Sequence, residues 1–309
     1  MADAQTLLTV RTPWQTYAVL AAGLAAVSLA AVFIRLAQGE GIPSLVIAAA
    51  RLTIAALILT PLTLPRYLVH LRQLTRRDLL LVSVSGLFLA LHFILWITSL
   101  ELTSVLISVV LVTTSPLWAA LLEALFLKTR LTHLVMIALV LAIGGGIMIG
   151  VPDHEGAISF GSNPLLGSLF ALGGAVAVAI YLVIGRSVRP KLPLLPYIWL
   201  VYGIAALFAL LAVLLTGSQV MGYAPAGYLL LLAVALFPQL IGHSSFNYAL
   251  KHLSATYVGV ASQLEPVSSA LLAFFVFREV PSSLQLLGSA VILVGVVLAT
   301  IGQQKQPTH

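Results

Sequence analysis

Continuous apolar runs, each about 20 residues long, limit what this chain can fold into more than any other feature. About 20 mostly apolar residues are needed for one helix to cross the hydrocarbon core of a bilayer. Only 8% of the residues are charged, against about 25% in a typical soluble domain, and the runs do not alternate as barrel strands do. We predict ten spans: Thr16–Leu36, Pro43–Leu64, Asp78–Ser99, Ser104–Leu127, Leu131–Gly150, Leu165–Val188, Leu195–Thr216, Gly227–Tyr248, Ala255–Phe277 and Leu284–Ile301.

The basic residues lie almost entirely on one side of these spans. If the N-terminus is cytoplasmic, the cytoplasmic side holds twelve of the 15 Lys and Arg residues, and the opposite side holds Arg278 alone. Arg35 and Arg51 fall within spans. Because basic loops stay in the cytoplasm, this split predicts cytoplasmic N- and C-termini in a bacterial-type inner membrane. The net charge of +6 thus reflects topology, and we expect no nucleic-acid partner.

The two halves of the chain repeat their features at a constant offset of 150 residues. Mid-span Pro116 corresponds to Pro266, and Gly145 corresponds to Gly295. Each half has five predicted spans, an odd number, so the second half enters the membrane from the opposite side. We predict an all-α polytopic membrane protein with ten transmembrane helices in two inverted-topology five-helix repeats. The predicted repeats are residues 1–157 and 158–309.

Two corresponding blocks of sequence carry a family resemblance. The first reads HFILWITSLELTSVLISVVLVTTSPLWAALLEALFLKTRLT, followed by LAIGGGIMIG, and the second reads FNYALKHLSATYVGVASQLEPVSSALLAFFVFREVPSS, followed by LGSAVILVGVVLA. With Arg51 in the second span, they resemble EamA-type members of the drug/metabolite transporter superfamily, which include aromatic amino-acid and metabolite exporters. One departure is Thr129, where the family usually has the glutamate that Glu279 supplies in the second half.

This resemblance implies ten helices, cytoplasmic termini and the export or exchange of small metabolites. The residues themselves contain no metal-ligand cluster, phosphate-binding glycine loop or hydrolytic triad, so we predict no enzyme activity, cofactor or metal. We predict a secondary transporter that exports an amino acid or a related zwitterionic or cationic compound by alternating access. Uptake by the same fold is the alternative, and a non-transporting scaffold or an intramembrane enzyme is less favoured. The predicted partners are the small-molecule substrate and the lipid bilayer, with the chain as a monomer or weak homodimer.

Glu265 lies near the centre of the ninth predicted span. Pro266 follows it and frees the backbone carbonyl of Ser262 from its helical hydrogen bond. Ser262, Glu265 and Ser269 share one helix face, which predicts a proton-coupling or substrate-amine site. The alternative is a structural glutamate that is paired with Arg51 or capped by hydroxyls.

A polar stripe follows the eighth predicted span. Gln239, His243 and Asn247 recur at intervals of four residues in an otherwise apolar segment, with Pro238 beside them. Three polar side chains on one face predict the wall of a substrate cavity. The alternative is that they hold neighbouring helices together.

The third predicted span adds His92 and Trp96 to the same predicted cavity. His92 corresponds in the repeat to the position next to His243, so two histidines approach from opposite halves, where they can relay protons. Trp96 is predicted to stack on a substrate ring or cation, and the alternative places it at the membrane interface. Ser115, the counterpart of Glu265, is predicted to line the wall opposite it.

Overall fold

The computed structural model of the chain is a bundle of helices, and the residues it describes form no strand. In the part of the chain that the structure describes, eight helices are long and apolar enough to cross a membrane, and two shorter apolar helices accompany them. The predicted boundary at residues 157 and 158 lies outside the described part, and so does Thr129. The described residues are 14–127, 131–150, 161–188, 192–249, 258 and 261–304.

The helices of the first half end close to the predicted spans. α3 is the exception, because it continues eight residues beyond the predicted end at Leu64, through Pro65. Apolar sequence ends where the hydrocarbon ends, whereas a helix can continue into the polar zone with basic side chains such as Arg72. The elements are α1 Trp14–Ser28, α2 Ala30–Gly39, α3 Ser44–Arg72, α4 Arg76–Leu102, α5 Val105–Val112, α6 Ser115–Leu127 and α7 His133–Gly150.

The second half follows the same plan. Its helices start about 150 residues after their counterparts, as the repeat predicts. The matching starts are Trp14 and Pro164, Ser44 and Leu194, and His133 and Ser283. The elements are α8 Pro164–Val188, α9 Leu194–Thr216, α10 Pro225–Val234, a π-helical segment Ala235–His243, α11 Ser244–Ala249, α12 Leu264–Phe277 and α13 Ser283–Gln304.

Local sequence explains several helix starts. Thr75 and Asp78 form a reciprocal capping box at the start of α4, which satisfies backbone N–H groups that have no partner within the helix. The Ser104 hydroxyl accepts from the Ile107 N–H at the start of α5. The α4–α5 connection is therefore only two residues long and reverses the chain tightly.

The principal helix pairs join one half of the chain to the other. α4 packs on α8, α3 on α9, α7 on α13, and α1 on the π-helical segment and α11. The α7–α13 contact is reciprocal: a Cβ at Gly145 would lie 2.6 Å from the carbonyl oxygen of Gly288, and one at Gly295 would lie 3.0 Å from that of Ala138. Gly288 and Ala138 are themselves 150 residues apart, so the same contact is made twice. Glycine at these positions allows the close backbone approach that membrane helices use for packing.

Candidate substrate cavity

Four of the apolar segments are interrupted near their middles. The helix breaks at Leu29 between α1 and α2, at Thr113 and Thr114 between α5 and α6, and at a turn on Gln263 just before α12. The fourth interruption is the π-helical segment, which contains Pro238. Proline removes a backbone hydrogen bond, and π segments inside α-helices are frequent at functional sites. Broken helices in transporters commonly surround the binding site.

A cavity of about 270 Å³ lies where these interruptions meet. Residues beside all four of them line it, together with side chains from α3, α4, α8 and α9. Eight of the ten residues singled out from the sequence line this one cavity. The polar and aromatic residues with a hydrogen-bonding group in the lining are Arg51, His92, Trp96, Thr113, Ser115, Tyr181, Tyr202, Gln239, His243, Ser262, Gln263 and Glu265.

Arg51 is almost fully buried on α3, with 1% of its surface exposed. Its Nε donates to the Gln239 Oε1 at 2.5 Å, and its Cζ lies 4.1 Å from the centroid of the Phe93 ring. Within the described part of the chain, its Nη1 has no hydrogen-bond partner. Arg51 and Glu265 are close enough to interact electrostatically, but no ion pair joins them among the described residues. The structural pairing considered from the sequence is therefore not what holds Arg51.

His92 and Trp96 lie one helical turn apart on α4 and stack, with ring centroids 6.1 Å apart and planes inclined by 12°. The His92 Nδ1 lies 2.9 Å from the carbonyl oxygen of Gly174. A carbonyl only accepts, so Nδ1 carries the proton and the neutral ring has its acceptor at Nε2. Trp96 is 4% exposed, which places it inside the bundle rather than at the membrane interface. Its Nε1 has no partner among the residues described.

The residues of the polar stripe on the eighth apolar segment have different surroundings in the structure. Gln239 is buried and accepts from Arg51. His243 lines the cavity edge-on to Phe93, with centroids 6.3 Å apart. Phe93 therefore lies between His243 and its neighbour His92, and both predicted histidines line the same cavity. The Asn247 side chain lies outside the described residues.

The Glu265 region supplies the negative side of the cavity. Glu265 and Ser262 both line it, and Ser115 lines it from the first half. Ser269, predicted on the same face, is not in the lining. Its hydroxyl is buried and donates to the backbone carbonyl of Ser28, 3.1 Å away, beside the break at Leu29. This is a helix-packing contact.

Several lining residues were not singled out from the sequence. Phe93 and Tyr202 are aromatic residues in apolar spans, where aromatic residues are common and carry no distinguishing pattern. Gln263 is an exception, because it is an amide two residues before Glu265 and three before Pro266 in an otherwise apolar run. It also corresponds at the offset of 150 to Thr113, and both residues mark helix breaks.

One end of the bundle holds a separate polar cluster, which we name the closed end because an ion pair joins the two halves of the chain there: Arg35, Glu279, Val105, Ser44 and Glu101. The Arg35 guanidinium forms an ion pair with Glu279, whose other oxygen accepts from the Val105 N–H at 2.9 Å. Ser44 donates to Glu101 at 2.5 Å. The contacts of Glu279 thus join α2 and α5 to the segment after α12, and the bond from Ser44 to Glu101 joins α3 to α4.

Comparison with known protein families identifies the group to which this chain belongs. The EamA-like transporter family matches residues 15–151 and, a second time, residues 165–301. The chain belongs to the EamA-like transporter family. This membership confirms the predicted family and the two-repeat architecture, and it makes the chain a multi-pass membrane transporter of the drug/metabolite type.

Relatives of this EamA-family chain include named exporters. It is 30% identical to a probable terminal-alkyne amino-acid exporter of Streptantibioticus cattleyicolor, over 63% of this chain and 65% of that protein. It is 25% identical to the pseudopaline exporter CntI of Pseudomonas aeruginosa, over 72% of this chain and 76% of that protein. A crystal structure with 20% sequence identity matches it with a TM-score of 0.62, over 95% of this chain and 99% of the other. That match concerns the fold alone.

Proposed function

We propose that this protein is a secondary transporter that exports a small organic metabolite across the inner membrane by alternating access. Its substrate is an amino acid or a related zwitterionic or cationic compound. The observation that carries the proposal is a cavity, formed where four helices are interrupted, whose lining includes both Arg51 and Glu265. Ionisable groups within membrane spans are costly and mark substrate or ion pathways.

Alternating access is supported by the repeated packing between the halves. We propose ten spans in two inverted repeats, residues 1–157 and 158–309. The reciprocal contacts of α7 with α13 and the matching helix starts are what such a pseudo-symmetric pair of halves would produce. Two nearly equivalent halves can exchange conformations around a central site. Because both halves of the cavity come from one chain, we propose a monomer or weak homodimer as the working unit.

The direction of access is supported by the charge distribution. With both termini in the cytoplasm, as the basic residues favour, the closed end faces away from the cytoplasm. If this end is closed, the substrate enters from the cytoplasmic side. Its release on the opposite side then requires the Arg35–Glu279 pair to separate. The two named exporters among the relatives also support export. An amino-acid exporter among them supports an amino-acid-like substrate.

Glu265 is the proposed coupling residue. A carboxylate in the cavity can take up a proton from one side of the membrane and release it to the other, which links substrate export to proton entry. His243 lines the same cavity and is a second group that can exchange protons.

The test is transport by the purified protein in proteoliposomes. A labelled pool of metabolites that includes the amino acids is offered with and without a pH gradient, in both directions. We expect amino-acid transport that the gradient accelerates. Glu265→Gln should remove the acceleration, and His243→Ala should reduce it. Glu123→Gln is the matched control, because Glu123 lies on α6 outside the cavity lining.

Two outcomes would contradict parts of this proposal. Equal transport by wild type and by the Glu265→Gln and His243→Ala proteins for every substrate would refute the coupling site. Transport that is driven only from the closed-end side inward would favour the uptake carrier considered as the alternative.

A further inference from the structure

Two buried hydrogen-bond donors belong to residues that line one wall of the cavity. They are the Nη1 of Arg51 and the indole Nε1 of Trp96, neither of which finds a partner among the described residues. The two side chains are neighbours, because the Arg51 Cζ lies 5.8 Å from the centroid of the Trp96 ring. Buried N–H groups of this kind normally carry a hydrogen bond. This wall therefore matches a ligand that accepts hydrogen bonds.

Arg51 also brings a positive charge that forms no ion pair among the described residues. Its contacts are the neutral amide of Gln239 and the ring faces of Phe93 and Trp96. The amide and the rings stabilise the guanidinium and fix its orientation. They do not neutralise its charge, because none of them is an anion. A buried cation is normally paired with an anion. The guanidinium is thus held at one edge by Gln239 and on one face by the aromatic rings. Its Nη1 remains available to donate hydrogen bonds to an anion.

We propose that Arg51 and Trp96 form a subsite for the carboxylate of the transported molecule. This proposal rests on the transport function proposed above and narrows its substrate class. A carboxylate has two acceptor oxygens, so one oxygen can accept from the guanidinium and the other from the indole N–H. Hydrogen bonds between guanidinium and carboxylate are short and strong because both partners are charged. Simple amines would leave the two donors unsatisfied, and a neutral carbonyl compound would accept from them without the stronger hydrogen bond that a charged acceptor forms.

Glu265 completes the match to a zwitterion. It lines the same cavity as Arg51, interacts with it electrostatically and forms no ion pair with it in the described part of the chain. The cavity therefore keeps a positive and a negative group apart. An amino acid oriented with its carboxylate at Arg51 and Trp96 and its ammonium at Glu265 satisfies both. The volume of about 270 Å³ accommodates a whole amino acid, since a cavity of about 150 Å³ already holds benzene.

The experiment compares each amino acid with its own carboxamide. The carboxamide keeps the size and the ammonium group but lacks the charged carboxylate. Wild-type proteoliposomes receive labelled amino acids and the matching carboxamides, and the ratio of transport rates is measured for every transported pair. We expect the wild type to prefer the acid at least about ten-fold, because a hydrogen bond to a charged group is involved.

Variants then separate the two donors. Trp96→Phe keeps an aromatic ring and removes only the N–H, so the preference should fall several-fold while the protein stays folded. Arg51→Gln removes the charge and should abolish the preference, and Arg51→Lys should keep part of it. Trp118→Phe is the matched control. The Trp118 Nε1 already donates to the Thr114 hydroxyl, and Trp118 lies outside the cavity lining, so the preference should not change.

The outcomes distinguish the subsite from the function on which it rests. If wild type transports acids and carboxamides equally, or if Trp96→Phe and Arg51→Gln keep the full preference, the subsite is refuted and transport stands. If Arg51→Gln does not fold, Trp96→Phe decides alone. If wild type transports none of the amino acids, the proposed substrate class fails and the subsite fails with it.

Discussion

Two arginines lie within the apolar segments of this protein, and their surroundings differ. Arg35, at the closed end, meets the carboxylate of Glu279 directly. Arg51, at the cavity, meets an amide and two aromatic rings and retains a donor without a partner among the described residues. Arg51 is almost fully buried and Arg35 keeps 17% of its side-chain surface exposed, yet among the described residues an ion pair is formed by Arg35 and not by Arg51.

The difference separates a structural role from a binding role. A buried ion pair is a completed interaction, and removing one partner leaves a costly unpaired charge. A cation held only by neutral groups is stabilised in position but can still attract an anion. The comparison predicts that changes at Arg35 and Glu279 act on stability, and that changes at Arg51 act on transport.

The largest expected effect is the loss of the carboxylate at the closed end. Glu279→Ala leaves the Arg35 guanidinium and the Val105 N–H without their acceptor. We expect the free energy of unfolding to fall by about 3–5 kcal/mol, measured by denaturant titration in detergent micelles. The double variant Arg35→Ala/Glu279→Ala should recover part of this loss, because no unpaired charge remains. A single-variant loss below about 1 kcal/mol would remove the distinction between the two arginines.

Arg51→Met should show the opposite pattern. Transport of a carboxylate-bearing substrate should fall about 30- to 100-fold, since hydrogen bonds between charged groups contribute about 2–3 kcal/mol. The free energy of unfolding should change by no more than about 1 kcal/mol, because the lost bond to Gln239 is offset by removal of an unsatisfied buried N–H. Arg35→Met is the control, and we expect it to lower the free energy of unfolding while substrate binding stays unchanged. Equal stability losses in both variants would contradict the comparison.

Gln239→Leu should produce a smaller change at the cavity. It removes the acceptor that orients the Arg51 Nε, so we expect substrate binding to weaken about ten-fold, or about 1.4 kcal/mol. Ligand-induced thermal stabilisation measures this effect. Gln38→Leu is the matched control, because Gln38 donates to Ser44 and to the Ile97 carbonyl, away from the lining. Unchanged binding in the Gln239→Leu protein would mean that the orientation of Arg51 does not matter.

Ser44→Ala should have the smallest effect of the four. The Ser44 hydroxyl donates to Glu101, but Glu101 is exposed, so its charge remains solvated when the bond is lost. We expect a stability change of about 1 kcal/mol or less and unchanged transport selectivity. A loss comparable to that of Glu279→Ala would show that the closed end depends on both carboxylates and not chiefly on the buried one.

Much of the cavity was predictable because polar groups are rare in these spans. Arg51, His92, His243 and Glu265 are costly in hydrocarbon, so they must face the interior, and the interior of this bundle contains the cavity. Apolar length predicted most outer ends of the spans, but it predicted neither the continuation of α3 to Arg72 nor the interruptions within four of the spans. Ser269 shows where this reasoning stops, because a hydroxyl can be satisfied by a backbone carbonyl such as that of Ser28 without facing a cavity.

The contacts between distant segments were not predictable. Arg35 and Glu279 are 244 residues apart, and no periodicity relates one to the other. The π-helical segment was also hidden, because Pro238 indicates a disturbed helix but not which hydrogen bonds replace the lost one. That the Arg51 Nη1 and the Trp96 Nε1 lack a partner among the described residues becomes visible only in three dimensions.

The reciprocal glycine contacts of α7 and α13 have a consequence for how the protein can diversify. Neither helix contributes a residue to the cavity lining, and their backbones approach too closely at Gly145 and Gly295 to admit larger side chains without displacement. The α7–α13 pair therefore supports the bundle without determining which substrate binds. Substrate specificity can be redesigned by changing the side chains that line the cavity while α7 and α13 are left unchanged.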